Sequence, residues 1–415
     1  MQEYCERKVA VVGAGAAGMM AAIYAAQNGA DVTVFEKNFN VGKKLAITGK
    51  GRCNVTNDCD NAEFLKNVIS NPKFLYAAIN NLSTSDVKAF FEGLGVGLKT
   101  ERGRRVFPVS DKAKDIVNAL ERYMLDLGCK LKHERVISLV SDSACVTGLK
   151  TVKEKYFFDA IILATGGVSY PLTGSDGDGF AFSKKLGINV TRLTPSLVPL
   201  VTCEDVSELM GLSLKNVTLR LVDTKTQKIV FSELGEMLFT HFGMSGPLVL
   251  SASSHMHDLE EGKYTVKLDM KPALDISELD KRILSDFSKQ INKDFSNSLG
   301  ALLPSKIIPY IIKKSGISPD TKVNEITKEQ RKALVQLLKE LSFEIKSFRP
   351  IKEAIITSGG IDTKEINPST MRSKKYDGLY FAGEMIDVDA YTGGYNLQIA
   401  FSTGALAGMH AAWGD

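Results

Sequence analysis

An α/β fold, in which both ends of the chain share one sheet around an inserted β-plus-α module, is what the sequence predicts. Three observations carry it. Residues 8–36 read as a β-α-β unit, buried-strand patterns return at 159–163 and at 378–382, and the stretch between changes texture twice. The length of 415 residues leaves room for two or three domains, and 44% apolar against 24% charged residues excludes a disordered chain.

The elements follow in order. Residues 9–12 are apolar, a glycine-rich turn follows, an alanine-rich helix covers 19–28 until Gly29 stops it, and 31–35 is a second strand. The stretch 41–57 is rich in glycine and lysine, too polar for a core element and too unusual for a plain linker. Helical spacing covers 71–93 and 111–127, and short strands fill 130–164. The last of these, 159–163, is continuously apolar, as a strand buried on both faces should be. From 194 to 271, β-branched and alternating segments such as 217–222 and 264–268 indicate an all-β unit. From 276 to 341 the pattern is helical, broken at Pro304, Pro309 and Pro319. Beyond Pro350 come the strand at 378–382, a glycine-rich loop and a closing helix of small residues at 396–412. The expected boundaries are a first domain half at 1–193, a β subdomain at 194–275, a helical subdomain at 276–345 and the second half at 346–415.

Charge and cysteine usage exclude several classes. The 52 Lys plus Arg exceed the 48 Asp plus Glu by only 4, so no polyanionic partner is demanded. Cys5, Cys53, Cys59, Cys129, Cys145 and Cys203 contain no C-x-x-C pair, which argues against a zinc site and a redox dithiol. No His, Cys or carboxylate set has metal-ligand spacing. The start lacks a signal-peptide pattern and no run approaches the roughly 20 apolar residues of a membrane span, so a cytoplasmic, soluble protein is expected.

Gly13, Ala14, Gly15, Ala16, Ala17 and Gly18 form a G-x-G-x-x-G directly after a strand and at the opening of a helix. In that context the first glycine makes the turn, the second lets a diphosphate approach the backbone, and the third permits close helix–strand packing. The helix N-terminus adds unpaired N–H groups and partial positive charge. Glu36 lies eighteen residues after Gly18, where an acid accepts hydrogen bonds from an adenosine ribose and disfavours a 2′-phosphate. The far end holds a second glycine-rich strand-to-helix junction, with Gly383, Glu384, Asp387, Gly394 and Asn396. FAD is long enough to need both junctions. A closing helix from Asn396 would aim its dipole at the flavin pyrimidine edge, where negative charge gathers on reduction, and Asp387 suits the ribityl or diphosphate region.

These segments carry a family resemblance. VAVVGAGAAGMMAA, KKLAITGKGRCNVTN, ILATGG, HFGMSGP and YFAGEMIDVDAYTGGYNLQIAFSTG together resemble the BaiN-type (YhiN-type) flavoproteins, also described as aminoacetone-oxidase-like or NAD(P)/FAD-dependent oxidoreductases. The likeness runs nearly end to end. It implies a Rossmann-like FAD-binding domain of the glutathione-reductase superfamily type, interrupted by a β-barrel-like plus helical insert. It implies FAD contacts at the glycine turn, at Glu36 and Lys37, and at Lys44, Gly51, Arg52, Cys53, Asn54 and Thr56. It also implies contacts at Val136, Ala164, Thr165 and Gly166, and at Gly383, Glu384, Asp387, Gly394, Asn396, Gln398, Ile399 and Ala400. The activities it implies are reduction of enone-like steroids, amine oxidation, or dihydrouridine formation in ribosomal RNA.

Two side chains are candidates for proton transfer. Cys53 lies in the Gly49–Asn57 stretch; facing the substrate side of the flavin, its thiol could protonate the carbon beside the one that receives hydride, with Lys50 and Arg52 lowering its pKa. The alternative is a small buried residue that fills space. His241, in Thr240 to Pro247, is a general acid or orienting group if it faces the acceptor, and a turn residue otherwise. His133, His255, His257 and His410 are scattered and read as structural. Lys43 and Lys44, residues 102–105, 130–135 and 313–314 are basic clusters that could meet phosphates, or simply be solvated.

The favoured reading is an FAD-dependent oxidoreductase that passes hydride from flavin N5 to an activated C=C. With one dinucleotide fingerprint in the chain, NAD(P)H would be a transient reductant. The alternatives are an RNA-modifying flavoenzyme and a non-catalytic FAD-binding protein. The partner is a small molecule or ribosomal RNA; nothing in the sequence sets the oligomeric state.

Overall fold

The computed structural model describes residues 6–256 and 258–414, so Cys5 and His257 lie outside the described residues. The chain divides into two compact units, one ending at Ser196 and resuming at Pro350, the other spanning Leu197–Arg349.

The first unit is built on a five-stranded parallel sheet in the order Leu379–Phe381, Ala160–Leu163, Lys8–Val12, Asp31–Phe35, Lys130–Lys132. Its central strands are continuously apolar because both faces are covered; Val9, Ala10 and Val11 have no exposed surface. The chain's two ends therefore meet in one sheet, with Ile162 opposite both Val11 and Tyr380. The first helix runs Ala16–Gln27, one turn earlier than the expected start at 19, because Gly15 is its N-cap. The closing helix spans Tyr395–Trp413 and packs along it. Small residues make that packing close: a Cβ on Gly404 would stand 2.3 Å from the Ala17 carbonyl oxygen, and one on Gly408 would stand 2.1 Å from that of Ala21.

Three local differences from the sequence reading have clear causes. The helical pattern at 71–93 breaks into Pro72–Leu75, Tyr76–Asn81 and Thr84–Gly93, since Leu82 is extended and Ser83 starts a new helix through a reciprocal capping box with Asp86. The polar stretch 41–57 contains a helix, Lys43–Gly51, which loses helical geometry at Thr48, Gly49 and Lys50. Thr56–Asn57 then joins a small antiparallel sheet with Leu98–Glu101 and Arg105–Pro108.

The second unit is a closed six-stranded barrel with helices. Its strands run Leu200–Thr202, Gly243–Ser245, Ile229–Thr240, Ser213–Asp223, Tyr264–Asp269 and Leu341–Phe348, and the last pairs back to the first. Leu341–Phe348 alternates buried and exposed residues, yet it lies beyond the helices in a stretch expected to belong to the helical part. Its helices are Pro247–Ser253, within the β stretch, and Ile276–Ser288, Ile308–Ser315 and Lys328–Lys339, the last three as their amphipathic spacing predicts. Thr194–Ser196, expected to open the β subdomain, pairs instead with Ile356–Ser358 inside the first unit. Among the described residues no helix is long and apolar enough to cross a membrane.

Candidate cofactor and active site

The glycine turn has the geometry its spacing implies. Gly13 has φ +102°, and a Cβ there would stand 2.6 Å from the Ala164 carbonyl oxygen, so the turn lies directly against the end of the neighbouring strand. A Cβ on Gly18 would collide with the Gly13 carbonyl oxygen. Gly15 faces open space, with nothing within 4 Å of a Cβ position, which is the room an approaching diphosphate needs. The helix behind it has neither a side-chain cap nor an acid in its first turn. Its first N–H groups are therefore left for an anion.

Glu36, at the end of the second strand, is buried and oriented by three donors. The Ala14 N–H donates to Oε2 at 2.9 Å, and the Asn38 backbone and side-chain N–H groups donate to Oε1 at 2.8 Å each. An ionised carboxylate can accept about four hydrogen bonds, so one position remains for a ribose hydroxyl.

The second junction closes on the first. Gly383, at φ +74°, would place a Cβ 2.7 Å from Cβ of Ala17, so only glycine lets this turn approach the first helix. Gly394, at φ +101°, is the N-cap of the closing helix and lies on the Thr56 backbone. That helix, too, lacks a side-chain cap and an acid in its first turn. The Asn54 Oδ1 is buried without a hydrogen-bond partner among the described residues. Two uncapped helix ends, an open face at Gly15, an oriented acid and an orphaned amide oxygen together fit FAD.

Other expected contact residues are engaged with the protein. Lys37 pairs with Asp176 at 2.5 Å and Asp178 at 3.2 Å. Lys44 donates to Glu384 Oε2 at 2.5 Å and to the Ser169 hydroxyl at 2.7 Å, while Glu384 Oε1 accepts from Ser169 and from the Thr357 N–H. Arg52, expected to face flavin carbonyls or phosphate, is paired with Glu101 and Asp111 at 2.5 Å and lies over the Phe107 ring. The Thr56 hydroxyl donates to Gln398 Oε1 at 2.6 Å, and Gln398 Nε2 donates to the Leu82 carbonyl and Ser402 hydroxyl, which ties the closing helix to the rest of the unit. Asn396 clasps the loop before it through Ala390 and Tyr391. The Thr165 hydroxyl and N–H both meet Met385 Sδ, Gly166 sits against Ser175, and Val136 is buried at the start of an antiparallel sheet of Val136–Ser141, Val146–Thr151 and Lys155–Phe157. Ile399 is buried and Ala400 is half-buried in the closing helix. Gly51, at φ +84°, has an open Cβ side. Burial pushes the Asp387 carboxyl upward; the Thr191 hydroxyl opposes this, and the charges of Asp389 and Asp362 add to it.

Of the two readings of Cys53, the surroundings of the thiol fit the space-filling one. Cys53 has no exposed surface, belongs to the hydrophobic core, and has its pKa pushed up to about 12 by burial, against a smaller opposing hydrogen bond with Thr48. Arg52 does not lower it, being held by the two carboxylates. His241 is exposed on the second unit, its ring 5.0 Å from that of Phe242, which in turn lies under the Arg349 guanidinium at 4.5 Å. His133, His255 and His410 each pack on an aromatic ring, as structural histidines do. Lys130 and Arg135 of the basic clusters are paired with carboxylates. Ser169, Thr357 and the buried Asp389, which accepts from Ser196, belong to no readable motif; their roles depend on distant strands meeting.

Residues 7–410 match the family described as the HI0933-like protein Rossmann domain. The chain belongs to the HI0933-like family. It is 31% identical to the 3-dehydro-bile acid delta(4,6)-reductase of Clostridium scindens, over 98% of this chain and 99% of that protein. It is equally identical to a ribosomal RNA dihydrouridine synthase of Haemophilus influenzae, over 97% of each. Among solved structures, 3-ketosteroid delta1-dehydrogenase of Sterolibacterium denitrificans is 13% identical with a TM-score of 0.51, over 99% of this chain and all of that one, a likeness of fold alone. The resemblance to BaiN-type flavoproteins therefore holds: this HI0933-like chain is an FAD-dependent oxidoreductase with a Rossmann fold.

Proposed function

We propose that this chain uses FAD to reduce a carbon–carbon double bond conjugated to a carbonyl, with a nicotinamide dinucleotide as transient electron donor. One observation carries the reading. Two relatives matched along nearly their whole length are named for different substrates, a 3-dehydro bile acid and a uridine in RNA, yet both names describe saturation of a C=C polarised by a carbonyl. Bound FAD supplies hydride from its N5.

The chain's own residues would bind, orient and exclude. The uncapped first helix and the open face at Gly15 would hold the diphosphate, and Glu36 would hold the adenosine ribose. The uncapped closing helix would favour the negative charge that builds at the flavin pyrimidine edge. Lys44 and Glu384 would fix the second junction through Ser169 and Thr357. His241 is the proposed proton donor, since Cys53 is walled into the core.

The test is an anaerobic two-step experiment. NADH or NADPH should bleach the flavin, and a 4-en-3-one or 4,6-dien-3-one steroid should restore its colour. His241→Gln should slow recolouring at least tenfold while leaving the bleaching rate unchanged. Recolouring by ribosomal RNA but not by any enone would shift the substrate to uridine and keep the bond chemistry. A dithionite-reduced protein reoxidised by neither would sink the proposal.

A further inference from the structure

The first unit contains an open cleft of about 710 Å³, whose lining includes none of the glycine turn, Glu36 and the second junction, and which nothing in the mechanism uses. Asp58, Asp60, Ser83, Ser85 and Arg104 are among the residues that line it. Its volume is in the range of small-molecule sites. We infer that it receives the adenosine-phosphate half of the nicotinamide dinucleotide, an assignment that rests on the donor proposed above.

The charges in the cleft support a sugar phosphate. Asp58 is neutralised by Lys88 at 2.6 Å, and Asp60 turns one oxygen to the Glu63 N–H at 2.8 Å as a helix cap. Arg104 is exposed, and its guanidinium makes no hydrogen bond or ion pair among the described residues. The cleft therefore offers one planar cation with no hydrogen-bond partner among the described residues, of the kind that grips phosphate in two places. Around it stand carboxylate and hydroxyl oxygens able to accept from ribose hydroxyls. Among the described residues no group of side chains could hold a metal ion.

The cleft also has a route to the flavin end of the unit. The Asn57 side chain donates to the Gly103 carbonyl at 3.1 Å and to the Gly393 carbonyl at 3.0 Å. The hairpin tip carrying Arg104 is thus tied to the loop that precedes the closing helix. A dinucleotide anchored at Arg104 begins one hydrogen-bond bridge away from that loop.

The experiment is calorimetric titration of the oxidised holoenzyme with ADP-ribose and with 2′-phospho-ADP-ribose. Arg104→Asn, which keeps a residue tolerant of the positive φ at this position, should weaken binding about tenfold. Arg104→Glu should abolish it, and both variants should keep full FAD content. The two probes distinguish a diphosphate anchor, which binds both alike, from a 2′-phosphate anchor, which prefers the second; either outcome supports the site. No binding of either probe to the unaltered holoenzyme, or binding unchanged in Arg104→Glu, overturns it. Failure of the donor reading is seen separately, as failure of NADH and NADPH to bleach the flavin of the unaltered protein.

Discussion

Gly15 and Gly18 are three residues apart in one turn, and the structure gives them opposite tolerances. Gly15→Asp meets no atoms, so the protein should fold; its carboxylate at the uncapped helix end should even raise the melting temperature of the apoprotein, while excluding the diphosphate. The expected product is a folded, colourless protein, checked by circular dichroism and flavin absorbance. Gly18→Ala instead drives a Cβ into the Gly13 carbonyl and should yield little folded protein. Cys53 carries a second expectation. Cys53→Ala should keep flavin content and turnover and lose about 1 kcal/mol of stability, read from denaturant melts. Burial pushes its thiol up to about 12 from an ordinary 9, so the protonated form is the one the fold favours. That contribution is complete below pH 9 and falls away as pH rises from there toward 12, and the variant should lose stability less steeply over that window. In the sequence Cys53 read as acid or as filler, because its neighbours Lys50 and Arg52 are cationic; the pairing of Arg52 with Glu101 and Asp111, 49 and 59 residues on, is visible only in the structure.

Between elements, the contact of the first and closing helices is decided by glycines on one face, one turn apart. Gly404→Ala and Gly408→Ala each press a Cβ on a backbone oxygen of the first helix, where nothing can rotate away. Each should cost about 1 to 3 kcal/mol and lower FAD affinity, because the helix that shifts is the one whose N-terminus is proposed to hold the diphosphate. Thermal melts and flavin titration check this. The two helices and the parallel strands were legible in the sequence, since each is a long run of one character. The breaks were not: Ser83 interrupts a helical pattern through a capping box whose apolar flanks keep helical spacing, and Leu341–Phe348 is hidden by the helices before it.

At the scale of the molecule, the second unit begins and ends on paired strands, Leu200 lying opposite Phe348, and closes its barrel with its own hydrogen bonds. Residues 197–349 produced alone should therefore melt cooperatively, show a β-rich circular dichroism spectrum and bind no flavin. A non-cooperative melt would count against autonomy of the barrel. The sequence by itself determined the cofactor class, since a glycine turn, an acid after the second strand and a second glycine junction are local patterns whose chemistry travels with them. Tertiary structure alone decided which polar side chains stay available to a ligand. Lys37, Arg52, Thr56, Gln398 and Asn396 find protein partners, whereas among the described residues the Arg104 guanidinium does not, because a hydrogen bond is settled by what arrives beside a group in space and sequence distance carries no record of that.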